Sequence, residues 1–454
     1  MKVFESLAVA DADDLVFGTS PHPVEIRPGF IIGAGETLPE LNYILPHGAE
    51  VSSATMDKVE QQYRDMAAGA LERAVRLGIP RFVIEIEQVF EMTANPEWGE
   101  RIARATREVI EAYESKGVTV GLRMTVADIR DRVRPPRNRT SGETDLVFES
   151  FERCAPYSDI LSIESTGGKE VHDSALLMCD PGGVVFALGV LASNDMAFLW
   201  PRIVEIARNH GKVAGGDAAC GFANTAMQLA HKRMIPTVLA AMVRAVGAAR
   251  SLVAMEAGAT GPDKDCAYEG PMLKAIAGIP IAMEGKSAAC AHSSPVGNVA
   301  MSCCDLWSNE SVPYVRLFGG YSPEVCLEQL WYDCKLMNES AQNGRARMLR
   351  DLLVASDVRT SAEALVLAPE SVLRISRAIL SSRDYLERAL RAAMEAVAII
   401  EEAASAGTLT VPESESGWLD QMKEGLAQLD ARKADVVDYY SGMYPGFILS
   451  EYGL

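Results

Sequence analysis

Three residues carry the strongest chemical signal in this chain. Glu164 closes the run ILSIE, Cys220 ends KVAGGDAAC, and Cys266 lies in GATGPDKDCAYEG. One carboxylate and two thiolates offer a hard oxygen and two soft sulfurs, a donor set that suits zinc better than calcium or magnesium. Three protein ligands leave one tetrahedral position open, as in metal centres that act on a substrate. An oxygen substrate held there would be polarised by the Lewis acid. The spacing alone also fits three unconnected residues, since no compact CxxC motif is present. What relates them is placement after short β-like runs, and Cys220 also precedes a helix-like segment, where a thiol loses its proton more readily.

Other polar residues surround this signal. Glu85 and Glu87 alternate with apolar residues in FVIEIE, so both point to one face of a strand, with Glu87 nearer its carboxyl end. Asp217, three residues before Cys220, either orients a metal ligand or caps the segment that follows. The stretch EGKSAACAHSSPVGN, from Glu284 to Asn298, is rich in small and polar groups; His292 and Asn298 there are candidates to contact a large partner-borne cofactor, and the plainer alternative is a loop that seals a cavity. Cys303 and Cys304 adjoin on a helix-like segment, where neighbouring side chains diverge, so buried packing is expected of them. RDRVRPPRNR, from Arg130 to Arg139, reads as a loop, either solvated, at an interface, or docking a phosphate-bearing ligand.

Positioning such residues requires a scaffold of short strands. Eight β-like runs are expected at Phe82 to Glu87, Thr119 to Thr125, Ile160 to Thr166, Val184 to Val190, Lys212 to Asp217, Ser251 to Ala257, Pro280 to Gly285 and Tyr314 to Gly320. Helix-like segments such as 98–113, 145–157, 196–208 and 223–246 separate them, the last divided or kinked at Pro236. This alternation predicts an α/β fold, a TIM-type (β/α)8 barrel, with a doubly wound sheet as the rival; barrel active sites assemble at strand carboxyl ends, where Glu164 would lie. Residues 1–80 form an N-terminal extension and leading helix, 81–320 the barrel, and 321–454 a helical extension. Leu386, Leu390, Met394, Val397 and Ile400 recur at helical spacing and must face the barrel or a second chain.

Composition narrows the function classes. Hydrophobic residues make up 48% and the net charge is −19, which speaks against broad attraction to nucleic acid or anionic membrane. The amino terminus lacks a basic segment followed by an apolar one, and Val184 to Ala192 is too short to span a bilayer, so neither a signal peptide nor membrane insertion is expected. Nine cysteines are too sparse for a disulfide scaffold, and the cytoplasm is the expected location.

At GGDAACGFANTAM, GATGPDKDCAYE, GKSAACAHS and MSCCDLWSNESV the chain resembles the zinc-containing subunit family of methanol:corrinoid methyltransferases, and the likeness runs from LVFGTSPHPV and GAGETLPELNY through the carboxyl helices. By matched motifs, the resemblance places the family's zinc ligands on Glu164, Cys220 and Cys266. It implies a TIM barrel with added helices and transfer of the methyl group of methanol to Co(I) of a separate corrinoid-binding subunit, leaving methyl-Co(III) on that partner. It further implies a dimer of heterodimers, and it makes Glu87 and Asp217 candidates for the environment of the departing oxygen. Another small alcohol or a methoxylated donor is the near alternative. A zinc-dependent hydrolase and a noncatalytic interaction protein are the remote ones.

Overall fold

The computed structural model describes the chain except at residues 46, 47, 265, 312–315, 318 and 416, and at 317 it describes the backbone alone. Seven parallel strands form one curled sheet in the order β7-β6-β5-β4-β3-β9-β8, which fits the expected TIM-type α/β architecture. They are β3 (Leu38–Tyr43), β4 (Arg81–Glu87), β5 (Thr119–Ala127), β6 (Ile160–Glu164), β7 (Val213–Ala214), β8 (Ala282–Glu284) and β9 (Leu306–Ser311). An antiparallel hairpin, β1 (Thr19–Arg27) and β2 (Phe30–Ala34), precedes them.

The eighth barrel position is filled by extended backbone rather than by a regular strand. Thr260 and Gly261 donate to the carbonyls of Ala214 and Gly215 beyond one edge of the sheet, at 2.9 and 3.1 Å. Asp263 donates to Pro280 at 3.1 Å and accepts from Ala282 at 3.3 Å at the other edge. Residues 260–263 therefore close the seam between β7 and β8.

Two expected strands are helices. Val184 to Val190 falls within Pro181–Phe186 and the wider turns of Ala187–Ala192, which run on into Ser193–Asn209. Ser251 to Ala257 is the end of the helix Thr237–Ala257. Both runs are apolar on every side because they are buried on every side, and such a segment shows no periodicity that separates helix from strand. The helices that contain them, Pro181–Asn209 and Thr237–Ala257, are long and apolar enough to cross a membrane, yet the most apolar window of the second is wholly buried in the protein. The strand expected at Tyr314 to Gly320 lies partly outside the described residues; Arg316–Leu317 pairs antiparallel with Gly320–Tyr321, outside the seven-stranded sheet. Pro236 separates Cys220–His231 from Thr237–Ala257, so the helix expected there is divided.

Within the seven-stranded sheet β3 and β9 are the strands not expected, and each carries two polar residues among its three inward ones. Side chains alternate across a strand, so β3 sends Leu38, Glu40 and Asn42 to the same face, and β9 sends Leu306, Ser308 and Glu310. The register sets them beside Val83, Glu85 and Glu87 on β4. Inward residues consequently form tiers. The lowest, with Leu38, Val83, Ile160, Ala282 and Leu306, packs on Ile26, Phe30 and Ile32 of the hairpin, which plugs that end. Gly121 on β5 has no side chain because Ile26 takes its place: a Cβ there would come within 2.5 Å of the Ile26 methyl. Lys274 Nζ fastens the plug from outside, donating to Asp305 at 3.0 Å and to the carbonyls of Val16 and Cys303. The upper tier is acidic.

Of the helices beyond Tyr321, Ser322–Gln342 packs directly on β3 and β9, and later ones pack on the barrel's own helices. Tyr385–Ser405 lies along Thr237–Ala257 with Leu386, Leu390, Val397 and Ile400 buried and Met394 exposed. Arg388 pairs with Glu256 through two contacts of 2.9 Å, and Gly189 admits Ala389, whose methyl would lie 2.6 Å from an added Cβ.

Arg123 ties the middle tier together. Fully buried, it donates to Glu40 at 2.7 Å, to Ser162 Oγ at 3.0 Å and to the Pro262 carbonyl at 2.9 Å, joining β5 to β3, β6 and the seam segment. Arg123→Met leaves Glu40 buried without this partner, so a loss of about 3–5 kcal/mol is expected. Chemical denaturation measures it, and the double variant Glu40→Gln/Arg123→Met should recover part of the loss. An unchanged midpoint in Arg123→Met would refute the assignment.

Candidate metal centre at the barrel mouth

Glu164 is the last residue of β6 and Cys220 the first of the helix Cys220–His231, reached from β7 through residues 215–219. Cys266 follows the seam segment, so its position after a barrel strand position holds although the run first read as that strand is a helix. The structure brings the three together: one ligand atom from each lies within 4.8 Å of the others, and Cys266 Sγ is 3.2 Å from Glu164 Oε1. Cys220 and Cys266 are bonded here as a disulfide with Cα atoms 5.3 Å apart, a pairing not expected from the sequence. Zinc–sulfur bonds near 2.3 Å set tetrahedral sulfurs about 3.8 Å apart. Once the pair is reduced, small side-chain rotations from this backbone meet that requirement. The donor types and their convergence fit a zinc ion.

Asp217 holds this arrangement rather than facing the cavity. Its buried carboxylate accepts from Ser165 N at 3.1 Å, Ser165 Oγ at 2.7 Å, Trp200 Nε1 at 3.0 Å and Arg250 Nη2 at 3.0 Å. With its oxygens engaged by four donors, it is a positioning residue. It fixes the backbone next to Glu164 to the loop that leads into Cys220. Arg250 reinforces the joint by donating to the carbonyls of Asp217 and Ser165, both at 3.0 Å. Glu269 supports the other side, accepting from Ala219 N and Ser251 Oγ, each at 2.7 Å. Arg244 steadies the next loop by donating to the Ala267 carbonyl at 2.9 Å and to Ser294 Oγ at 3.1 Å.

Arg244, Arg250, Lys264 and Glu269 were not singled out in the sequence. The signal for the two arginines was present, because a guanidinium in the apolar helix AAMVRAVGAARSLVAM must be buried with partners. No comparable signal marks Lys264 or Glu269 within their polar loop.

Carboxylates crowd the remaining mouth. Lys264 Nζ lies 3.3 Å from Glu85, 3.9 Å from Glu87 and 3.2 Å from Glu164. Burial, then Glu87, pushes the Glu164 carboxyl well above the usual range, with Lys264 opposing. Glu87 also accepts from Asn42 Nδ2 at 3.1 Å, and Glu85 from Thr125 Oγ1 at 2.6 Å. Across the mouth His292 meets Glu284 and Glu310, the inward acids at the ends of β8 and β9. Asn298 stands apart from this cluster: its amide donates to Ser356 Oγ at 3.0 Å and Asp357 Oδ1 at 3.3 Å, tying the loop to the helix Ala346–Asp357. Cys303 and Cys304 are buried, as expected, behind a short 3-10 turn. In the basic loop, Arg130 is buried between Asp128 and Asp195, while Arg139 reaches the Tyr452 carbonyl at 3.0 Å, so two of its arginines serve internal contacts.

Comparison with known proteins places the whole chain in one family. The family profile described as methanol-cobalamin methyltransferase B subunit matches residues 1–453. A methanol–corrinoid protein co-methyltransferase of Methanosarcina barkeri (strain Fusaro / DSM 804) is 41% identical over 436 residues, covering 94% of this chain and 93% of the relative. The crystal structure of the methanol:cobalamin methyltransferase complex MtaBC from Methanosarcina barkeri superposes with a TM-score of 0.95 at 38% identity, covering 100% of both chains. The acid-and-thiol barrel mouth described above therefore belongs to a member of the methanol-cobalamin methyltransferase B subunit family.

Proposed function

We propose that this enzyme transfers the methyl group of methanol to Co(I) of a separate corrinoid protein, with zinc held by Glu164, Cys220 and Cys266. The observation that carries the zinc assignment is the convergence of those three side chains at the carboxyl end of the barrel. Zinc in this site supplies Lewis acidity, drawing electron density from the carbon–oxygen bond of the alcohol.

The chain's own residues prepare that chemistry. Asp217 and Arg250 lock Ser165, so Glu164 is presented from a fixed backbone position. Glu269 fixes the amide of Ala219 and thereby the start of the helix that carries Cys220. Glu85 and Glu87, spaced two residues apart on β4, put negative charge along one wall, and Lys264 offsets it where the wall meets Glu164. A cation is favoured in such surroundings, and a small neutral alcohol enters without the penalty an anion would meet. The strand carboxyl ends form the open side of the mouth, so a corrinoid partner would dock over them. Two free thiolates require a reducing compartment, which accords with a cytoplasmic enzyme. Assembly as a dimer of heterodimers completes this reading, and light scattering of the mixed subunits measures it.

Reconstitution with a reduced corrinoid protein tests the donor: cobalt methylation should proceed with methanol, and turnover only of ethanol or a methoxylated compound would overturn the assignment. Glu164→Gln, Cys220→Ala and Cys266→Ala should each lower zinc content and reduce transfer by more than about 100-fold, beyond the effect of losing an outer support. Normal zinc content in all three variants would reject the centre. Asp217→Asn, which weakens the support and keeps the ligands, should lower zinc affinity by about 10–100-fold, read by competition with a chelator. Unchanged affinity would show that Asp217 serves folding alone.

A further inference from the structure

His292 follows the short helix Lys286–Ala291, and its ring lies between two strand-end acids. Nδ1 is 3.3 Å from Glu284 Oε2, and Nε2 is 3.7 Å from Glu310 Oε2. A metal requires an imidazole nitrogen without a proton, whereas a ring with carboxylates facing both nitrogens is suited to carry two. Although these three side chains are near enough to share an ion, an acid at ion-pair distance from each ring nitrogen favours an imidazolium.

The groups facing it come from several elements. Glu284 ends β8 and accepts from Tyr268 Oη at 3.5 Å. Glu310 lies on β9, next in register to Asn42, which donates to Glu87 on β4. Lys264 of the loop after the seam stands beyond Glu87 at 3.9 Å, and Lys286 on the ring's own helix turns away to Asp333 at 3.8 Å. The carboxylates outweigh burial and hold His292 up at about 9. Burial together with Glu284 and Glu87 pushes Glu310 up to about 9. Glu284 is fully buried, while the His292 and Glu310 side chains keep 17% and 24% of their surface open to solvent, so this group bridges water and the cavity.

We propose that His292, cradled by Glu284 and Glu310, is the proton source for the oxygen that leaves the methyl group. In this step the carbon–oxygen pair departs on oxygen as the cobalt pair forms the carbon–cobalt bond. An N–H proton of His292, passed along the cavity wall, converts the resulting hydroxide to water, and solvent restores the imidazolium. This role rests on the methyl-transfer reading and adds the residue that supplies its proton.

The complex with its corrinoid partner provides the test. A raised pKa keeps His292 charged below about pH 9 and lets it lose the proton above, so the wild-type rate should fall on the alkaline side of that value. His292→Gln should retain zinc, lose about 100-fold in rate at neutral pH and lose that alkaline limb, with part of the rate restored by added imidazole. Glu310→Gln, which keeps the ring and removes the facing acid that ionises in the same range, should move the limb to lower pH. In the subunit alone, the His292 ring protons followed by NMR should titrate near 9. A His292→Gln enzyme with the wild-type rate and pH profile, a fixed limb in Glu310→Gln, or a ring titrating near an ordinary histidine value would overturn the proposal. Failure of the wild-type complex to methylate cobalt from methanol would instead strike the methyl-transfer reading itself.

Discussion

Compensation of buried carboxylates is the constraint on which this structure depends. An ionised carboxylate inside a protein is tolerated only when cations and hydrogen bonds replace the water it has lost. Glu40 is answered by Arg123, Asp217 by Arg250, Asp128 and Asp195 by Arg130, and Asp305 by Lys274. Apart from Asp128 with Arg130, two residues apart, each of these pairs joins segments distant in sequence, so charge balance and barrel closure share the same contacts. At the upper tier the answer is thinner, because Lys264 stands among Glu85, Glu87 and Glu164. That imbalance is what the proposed zinc beside the two sulfurs would relieve.

The same constraint explains what could be read from the sequence. β4, β5 and β6 were legible because their outward faces are apolar against helices and their inward faces mix with them in short β-branched runs. β3 and β9 were not, since LPELNY and LWSNES place Glu40, Asn42, Ser308 and Glu310 toward the axis and so resemble loops. The three residues proposed as metal ligands were marked by motif, and Glu164 also by its place at a strand end. Asp217 was visible as a neighbour of Cys220, but its bond to Ser165 depends on two loops meeting in space. Asn298 looked like His292 in sequence; only the fold shows one turned to Asp357 and the other to Glu284.

The helix Thr237–Ala257 misled the strand reading for a related reason. Nearly every residue of it is buried, because the barrel lies on one side and Tyr385–Ser405 on the other. A helix with no solvent face has no amphipathic period to display. Its two arginines are the exception, and both point to the loops around the centre: Arg250 toward Ser165 and Asp217, Arg244 toward Ala267 and Ser294. The carboxyl-terminal helices thus matter to the site indirectly, by burying the element that carries its two supporting cations.

These supports divide the mouth into two chemically different sides. On one, Glu164, Cys220 and Cys266 stand on backbone fixed by Asp217, Arg250 and Glu269. On the other, His292 lies at ion-pair distance from Glu284 and Glu310, and His292 and Glu310 keep part of their surface in water. Cleavage of an alcohol's carbon–oxygen bond demands electron withdrawal at the oxygen and a proton for the group that leaves. A single acid close to a metal would tend to give its proton up to a neighbouring thiolate or carboxylate before the bond breaks. In strand order Asn42 on β3 and Glu87 on β4 stand between the two, and under the proposed reading this separation would keep the proton on the imidazole until the oxygen has gained the charge to take it.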